Sequence, residues 1–263
     1  MAALENIPPK SGWLWLKEGF TLFRKQPMEL TTLFLGYTFL MLGFGFIPLL
    51  GQVLRLILMP VFSMAFLQAC VEVEQGRRVY PSLLLAGFRS PAFKPLAALG
   101  LFYLAAGILA AAASTLVDGG VFWSIVSDQG TVGADAAREP KVTAAMLFAG
   151  LAFMPAVVLL WYAPALIMWN GMSVGKSIFY SVFAVRKAGK AFIVYGLACA
   201  MIGILLPAFL SSFIILLTGQ SALGMMVLIP LEFILSAAIY CSFYPSYTYI
   251  FGKKISNDSA PSP

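Results

Sequence analysis

Long apolar stretches separated by short polar segments dominate the chain, and they predict membrane-spanning helices. Six stretches approach the roughly 20 residues that cross about 30 Å of hydrocarbon at about 1.5 Å per residue. The predicted spans are residues 28–49, 53–73, 96–117, 142–169, 192–217 and 223–251. They predict an all-α, polytopic transmembrane domain over residues 1–255, with a disordered polar tail at 256–263.

Three further segments, each before an outward span, have the pattern of amphipathic helices. In residues 11–26 the apolar side chains Trp13, Leu16, Phe20 and Phe23 share one helical face, and Lys17, Arg24 and Lys25 lie on the other. An apolar stripe with a basic opposite face suits a helix lying in the lipid headgroup region. Packing against the ends of the spans would give the same pattern, so the sequence leaves both interpretations open.

The segment at residues 173–190 has the same character. Its predicted apolar stripe is Val174, Ile178, Val182 and Val185, and the predicted opposite face holds Lys176, Ser177, Lys187 and Lys190. The basic candidates for contact with lipid in this segment are Lys176, Arg186 and Lys187. The middle segment, residues 81–95, is less regular but is also predicted as an in-plane helix.

A short signature recurs in each returning span, where a proline stands between apolar residues at Pro60, Pro155 and Pro230. Proline removes a backbone donor and tends to kink a membrane helix. The pattern predicts three repeat units, residues 11–75, 80–170 and 173–252, each an amphipathic helix plus a helical hairpin. Chance recurrence of proline, which is common in membrane helices, is the alternative.

Composition supports a membrane location. Of 263 residues 60% are hydrophobic and 11% are charged, whereas an ordinary soluble domain is about a quarter charged. The net charge of +6 comes from cations before the first, third and fifth spans and after the last. The positive-inside rule therefore predicts a multi-pass protein of the bacterial inner membrane with both termini cytoplasmic, and it removes the support for a nucleic-acid partner.

Candidate chemistry is sparse. The chain has no histidine, so the commonest general base and the commonest nitrogen ligand of zinc are missing. Its three cysteines, Cys70, Cys199 and Cys241, are far apart along the chain, and no disulfide is expected. We expect neither enzymatic activity nor a cofactor or metal.

Three charged residues inside or at the ends of spans stand out. Glu232 lies about nine residues into the last span, near mid-membrane at about 1.5 Å per residue. Intramembrane carboxylates are costly and usually face the interior of a helix bundle. Arg55 and Asp118 are predicted at similar depth near the outer side, where they would form an ion pair.

Several short motifs resemble an uncharacterised family of six-span bacterial inner-membrane proteins of betaproteobacterial type. They are GWLW at 12–15, FRK at 23–25, IPLLG at 47–51, VDGG at 117–120, WYAP at 161–164 and KSIFYS at 176–181. More remotely, the helix-plus-hairpin pattern is similar to the membrane domain of some glycerophosphodiester phosphodiesterases. The resemblance implies location and architecture, and it implies no activity.

Two functions follow as hypotheses. The first is a non-enzymatic scaffold or accessory protein whose basic helices bind anionic lipid of the bilayer, a membrane-protein partner or a second copy of the chain. The second is a small transporter or channel-like protein that uses Glu232 and kinked helices around a central site.

The asymmetry of cations predicts the topology. In a variant without native cysteines, Ser256→Cys should resist a membrane-impermeant maleimide in intact cells and react after permeabilisation, because the tail is cytoplasmic. Ser127→Cys, in the predicted outer loop 118–141, should react in intact cells. Labelling of position 256 from outside would contradict the orientation.

Overall fold

The computed structural model describes residues 7–47, 50–128 and 139–253. Within these ranges most residues are in helices, and none is in a strand. The helices, in order, are α1 Lys10–Phe23, α2 Pro27–Gly45, α3 Leu50–Glu74, α4 Ala86–Arg89, α5 Phe93–Asp118, α6 Val121–Asp128, α7 Pro140–Leu159, α8 Ala163–Asn170, α9 Val174–Lys187, α10 Gly189–Ala200, α11 Leu206–Thr218, α12 Ser221–Cys241 and α13 Phe243–Phe251. A 3₁₀ turn at Pro81–Leu85 precedes α4, and a π-helical turn at Met201–Leu205 joins α10 to α11.

Six helical stretches are long and apolar enough to cross a membrane, which confirms the predicted number of spans. They are Pro27–Gly45, Leu50–Glu74, Phe93–Asp118, Pro140–Asn170, Gly189–Thr218 and Ser221–Phe251. In the most apolar window of α3, 67% of the residues are buried, against 11–33% in the other five. Protein therefore encloses α3, whereas the remaining spans leave most of their apolar surface for lipid.

The tail predicted to be disordered, 256–263, lies outside the described residues, as do Pro48 and the middle of the predicted outer loop. The described start of that loop is not extended, since Val121–Asp128 forms α6.

The three signature prolines all lie inside helices, in α3, α7 and α12. The fourth span is interrupted after Pro155, because α7 ends at Leu159 and α8 begins at Ala163, with Pro164 in its first turn. The Ser181 hydroxyl repairs this break: it donates to the Leu159 carbonyl at 2.7 Å and accepts from the Tyr162 N–H at 3.0 Å. One side chain thus satisfies two backbone groups freed by the interruption.

Helix α1 forms as predicted, but its buried face is not the one predicted. Leu16 and Phe23 are buried, whereas Trp13 is 51% exposed and Phe20 is half-buried. The buried face is instead built around Trp15 and small residues, because these allow close approach to other helices. A Cβ at Gly12 would lie 2.1 Å from the Ala191 carbonyl oxygen, and one at Gly19 would lie 2.4 Å from Ser242 Cα.

The same holds for α9, whose fully buried residues are Ser177, Ser181 and Ala184 rather than the predicted valine and isoleucine stripe. Ser177 was predicted on the opposite, polar face. Val185 is buried, and Val174, Ile178 and Val182 are half-buried. The prediction of an in-plane helix over 81–95 is wrong. The segment is a 3₁₀ turn followed by the single-turn α4, and α5 already begins at Phe93.

The chain divides into two compact units that do not follow the predicted repeats. The first comprises residues 1–35, 66–83 and 183–263, and the second comprises 36–65 and 84–182. In the first, α1 packs against α10, α12 and α13, and Trp15 contacts Phe192, Tyr195 and Tyr249 edge to face. In the second, α5 packs along α7, and a Cβ at Gly100 would lie 2.0 Å from the Ile57 carbonyl oxygen.

Each amphipathic segment contacts a returning span of another predicted repeat. Gly19 in the first repeat meets Ser242 of the third, and Gly87 in the second lies against the Val61 backbone of the first. Ser181 in the third bonds to Leu159 and Tyr162 of the second. The threefold repeat stays a prediction.

The close contacts of α1 predict large effects from one methyl group. Gly12→Ala and Gly19→Ala should each destabilise the protein by about 1–3 kcal/mol, because the added Cβ would overlap the backbone of a packed neighbour. The matched control is Gly175→Ala, since no atom lies within 4 Å of a Cβ there. Thermal unfolding in detergent should show lower midpoints for the first two variants only. An equal loss in the control would contradict the packing explanation, because Gly175→Ala creates no overlap and alanine has the higher helix propensity.

Candidate functional site

The outward face of α1 carries cations and aromatic groups together. Trp13 is 51% exposed, and Lys17 and Arg24 are exposed at positions four and eleven residues later, which places all three along one side of the helix. Phe20 lies between them and is half-buried. We call Trp13, Lys17, Phe20 and Arg24 the α1 stripe.

Helix α9 presents a similar outward face. Phe179 is 66% exposed and Phe183 is 41% exposed, and the exposed Lys176, Arg186 and Lys187 flank them. The Lys187 ammonium lies 5.1 Å from the centre of the Phe183 ring, a cation–π contact. We call these five residues the α9 stripe. In both helices the buried face holds the helix in place, so the stripe is fixed in orientation.

A cluster of polar side chains joins the ends of two spans in the first unit. Glu74, the last residue of α3, accepts hydrogen bonds from the Tyr244 hydroxyl at 2.5 Å and from the Lys253 ammonium at 2.7 Å. Tyr244 lies in α13, and Lys253 follows the end of that helix. The carboxylate therefore ties the end of the last span to the end of α3.

The charge of Lys253 responds to this pairing. The Glu74 carboxylate, which accepts its hydrogen bond, raises the pKa of the Lys253 ammonium above its ordinary value, and the nearby Glu18 carboxylate adds to the effect. A raised lysine pKa means that the ion pair persists throughout neutral pH and is lost only as the pH rises through that value in alkaline solution. Because Lys253 is largely exposed, solvent screens the pair and its contribution to stability is small.

An open cleft of about 240 Å³ lies beside this cluster in the first unit. Its lining includes Glu18 and Thr21 of α1 and Lys25, which lies two residues after α1. Glu74, Tyr244 and Lys253 line it as well. The cleft thus contains two carboxylates and two ammonium groups.

Glu232 stands alone in α12. It is half-buried, two residues after Pro230, and it has no hydrogen-bond or ion-pair partner among residues 7–47, 50–128 and 139–253. The hypothesis that Glu232 serves transport stays a prediction.

The expected ion pair of Arg55 with Asp118 does not form. Asp118 instead accepts the backbone N–H groups of Gly120 at 2.9 Å and Phe122 at 2.6 Å, so its carboxylate caps the start of α6. The Arg55 Nε is buried without a hydrogen-bond partner in the part of the chain that the structure describes. The sequence signal for the cap was present in VDGG, since aspartate before glycines is typical of a turn.

Comparison with known proteins identifies a relative. The chain is 33% identical over 256 residues to a probable inner membrane protein of Burkholderia thailandensis, and the match covers 95% of this chain and 94% of the relative. The chain belongs to the family of that protein. It is therefore an integral inner-membrane protein, as the six apolar spans require.

No protein-family model matches the chain, so the resemblance to the membrane domain of glycerophosphodiester phosphodiesterases is unconfirmed. No solved structure matches it either.

The sequence interpretation missed the Glu74 cluster. Glu74 lies 170 residues before Tyr244 and 179 residues before Lys253. Each of the three, taken singly, looks like an ordinary residue at the end of a span. The signal that could have found them is that Glu74 and Lys253 follow the second and last spans, which both end on the same predicted side of the membrane.

Removing the Tyr244 hydroxyl tests the importance of the cluster. Tyr244→Phe should destabilise the protein by about 1.5 kcal/mol, because hydrogen bonds to charged acceptors are stronger than neutral ones. The matched control is Tyr249→Phe, since Tyr249 is half exposed and its hydroxyl has no hydrogen-bond partner in the described ranges. Thermal unfolding in detergent should separate the two, and identical midpoints would contradict a stabilising role for the cluster.

Proposed function

We propose that this protein is a non-enzymatic accessory protein of the inner membrane that binds anionic lipid at the cytoplasmic leaflet through α1 and α9. The observation that carries the proposal is that both helices bury small residues against other helices and direct exposed aromatic and basic side chains outward. In this proposal both termini are cytoplasmic.

Physical chemistry gives each part of a stripe a role. An exposed indole or phenyl ring gains free energy by leaving water for the boundary between headgroups and acyl chains. Lysine and arginine side chains at the same level extend their charged ends toward lipid phosphates. Each cation near an anionic surface contributes on the order of 1 kcal/mol.

Helices α1 and α9 are already ordered in the folded protein, and this favours the binding of lipid. A peptide that folds only at the membrane must offset the free energy of ordering. By contrast, α1 is already packed against α10, α12 and α13, and Ser181 of α9 is hydrogen-bonded to Leu159 and Tyr162. Their stripes therefore require little further ordering when lipid binds. The proposed role is that of a scaffold that recruits anionic lipid around the bundle.

Lipid selectivity measures this directly. In nanodiscs that contain brominated phosphatidylglycerol in unlabelled phosphatidylcholine, tryptophan quenching reports how strongly anionic lipid gathers beside Trp13 and the other indoles. The double variant Lys17→Gln/Lys187→Gln should bind phosphatidylglycerol at least fivefold more weakly than the parent, because each cation contributes about 1 kcal/mol. The parent's preference should also weaken in about 0.5 M salt, which screens charge at this range.

The matched control is Lys141→Gln. Lys141 is exposed at the start of α7, two residues after Glu139, and belongs to neither stripe. It should change the preference less than twofold. An equal loss in this control, or a preference unaffected by salt, would show that net charge alone or apolar contact governs the lipid shell and would overturn the proposal.

A further inference from the structure

The cleft beside Glu74 has a distribution of charge that selects its ligand. Glu74 and Lys253 already neutralise each other at 2.7 Å. Glu18 and Lys25, on the α1 side, have no side-chain hydrogen-bond or ion-pair partner among residues 7–47, 50–128 and 139–253. The cleft therefore offers a ligand one carboxylate and one ammonium group that no side chain holds by a hydrogen bond or an ion pair. They are seven residues apart, with Glu18 in α1 and Lys25 two residues after its end.

A simple anion is a poor match for this cleft. The Lys253 ammonium already donates a hydrogen bond to the Glu74 carboxylate, and that carboxylate lines the same cleft, where it would repel a free phosphate. Glu18 would repel such an anion further. A simple cation is also a poor match, because the Lys25 ammonium in the same lining would repel it. A ligand that carries both signs satisfies Glu18 and Lys25 together.

The volume of the cleft and its depth in the membrane limit the class of ligand. Its volume of about 240 Å³ is below the roughly 300–1,000 Å³ of pockets that enclose drug-sized molecules, so it admits only a small group. Glu74 ends α3, and Lys253 lies two residues after α13. Polar residues at the ends of two spans lie at the depth of lipid headgroups.

We propose that this cleft binds the phosphoethanolamine headgroup of a zwitterionic phospholipid, with the phosphate at Lys25 and the ammonium at Glu18. The Thr21 hydroxyl is not part of the recognition, since it donates to the Lys17 carbonyl. This site is separate from the α1 and α9 stripes, and it therefore does not depend on the proposed binding of anionic lipid.

The ammonium group provides the test, because phosphatidylcholine has the same phosphate but a quaternary nitrogen that donates no hydrogen bond. Native mass spectrometry of the purified, delipidated protein would be followed during titration with phosphatidylethanolamine, phosphatidylcholine or phosphatidylglycerol of identical acyl chains. The parent should bind phosphatidylethanolamine about fivefold more tightly than phosphatidylcholine, as expected for an exposed charged pair. Equal affinities would overturn the proposal.

Two variants assign the roles of the side chains. Glu18→Gln should abolish the preference for phosphatidylethanolamine over phosphatidylcholine, whereas Lys25→Gln should weaken both lipids by a similar factor, because both contain the phosphate. Both side chains are exposed, so the variants should retain the parent's thermal midpoint. A preference that survives Glu18→Gln would overturn the assignment of the ammonium site.

Two further measurements complete the design. Free phosphoethanolamine at millimolar concentration should displace the lipid more effectively than free phosphocholine. If free phosphoethanolamine binds as tightly as the lipid does, the natural ligand is a soluble molecule with this headgroup and not a phospholipid. Displacement by neither would overturn recognition of the headgroup. Lys17→Gln should lower binding of phosphatidylglycerol and leave the phosphatidylethanolamine preference unchanged, so that failure of the two proposals can be told apart.

Discussion

Close backbone contact holds this protein together, because lipid gives apolar helices no hydrophobic reason to associate. Gly12 and Gly19 let α1 approach the backbones of α10 and the α12–α13 junction, and Gly100 lets α5 approach α3. Side chains of ordinary size at these positions would separate the helices and remove their dispersion contacts. The outward direction of the α1 stripe depends on this packing, since the small residues decide which face is buried.

The second constraint is that backbone polar groups within the membrane need partners inside the protein. Two proline-containing spans depart from regular α-helix, and different groups compensate for the lost hydrogen bonds in each. Ser181 supplies a donor and an acceptor at the break between α7 and α8. The π-helical turn Met201–Leu205 directly precedes Pro207, where the regular hydrogen bond cannot form. The kinked spans are thus compatible with a low-dielectric surrounding.

Charged groups divide between paired and unpaired positions, and the division separates structural from functional candidates. Glu74 is held by Tyr244 and Lys253 and joins two spans at their ends. Asp118 caps α6. By contrast, Glu18, Lys25 and Glu232 have no side-chain partners within the described ranges, and the cations of the two stripes point outward. Exposed charged side chains that take no part in the Glu74 cluster or the α6 cap are the candidates for lipid binding.

The sequence by itself determined the number of spans, their positions within a few residues and the existence of α1 and α9, because the length and hydrophobicity of a membrane helix are local properties. It did not determine which face of α1 is buried. Trp13 and Trp15 are equally apolar as residues, and only the close approach of Gly12 and Gly19 to neighbouring backbones decides that Trp15 is enclosed and Trp13 exposed. The predicted partner of Asp118 was Arg55, because the two residues lie at similar depth. The Asp118 carboxylate instead accepts two backbone N–H groups within one turn of it, which are closer than an arginine on another helix. The cluster of Glu74 with Tyr244 and Lys253 joins residues about 170 positions apart, and such a contact exists only once the helices are packed.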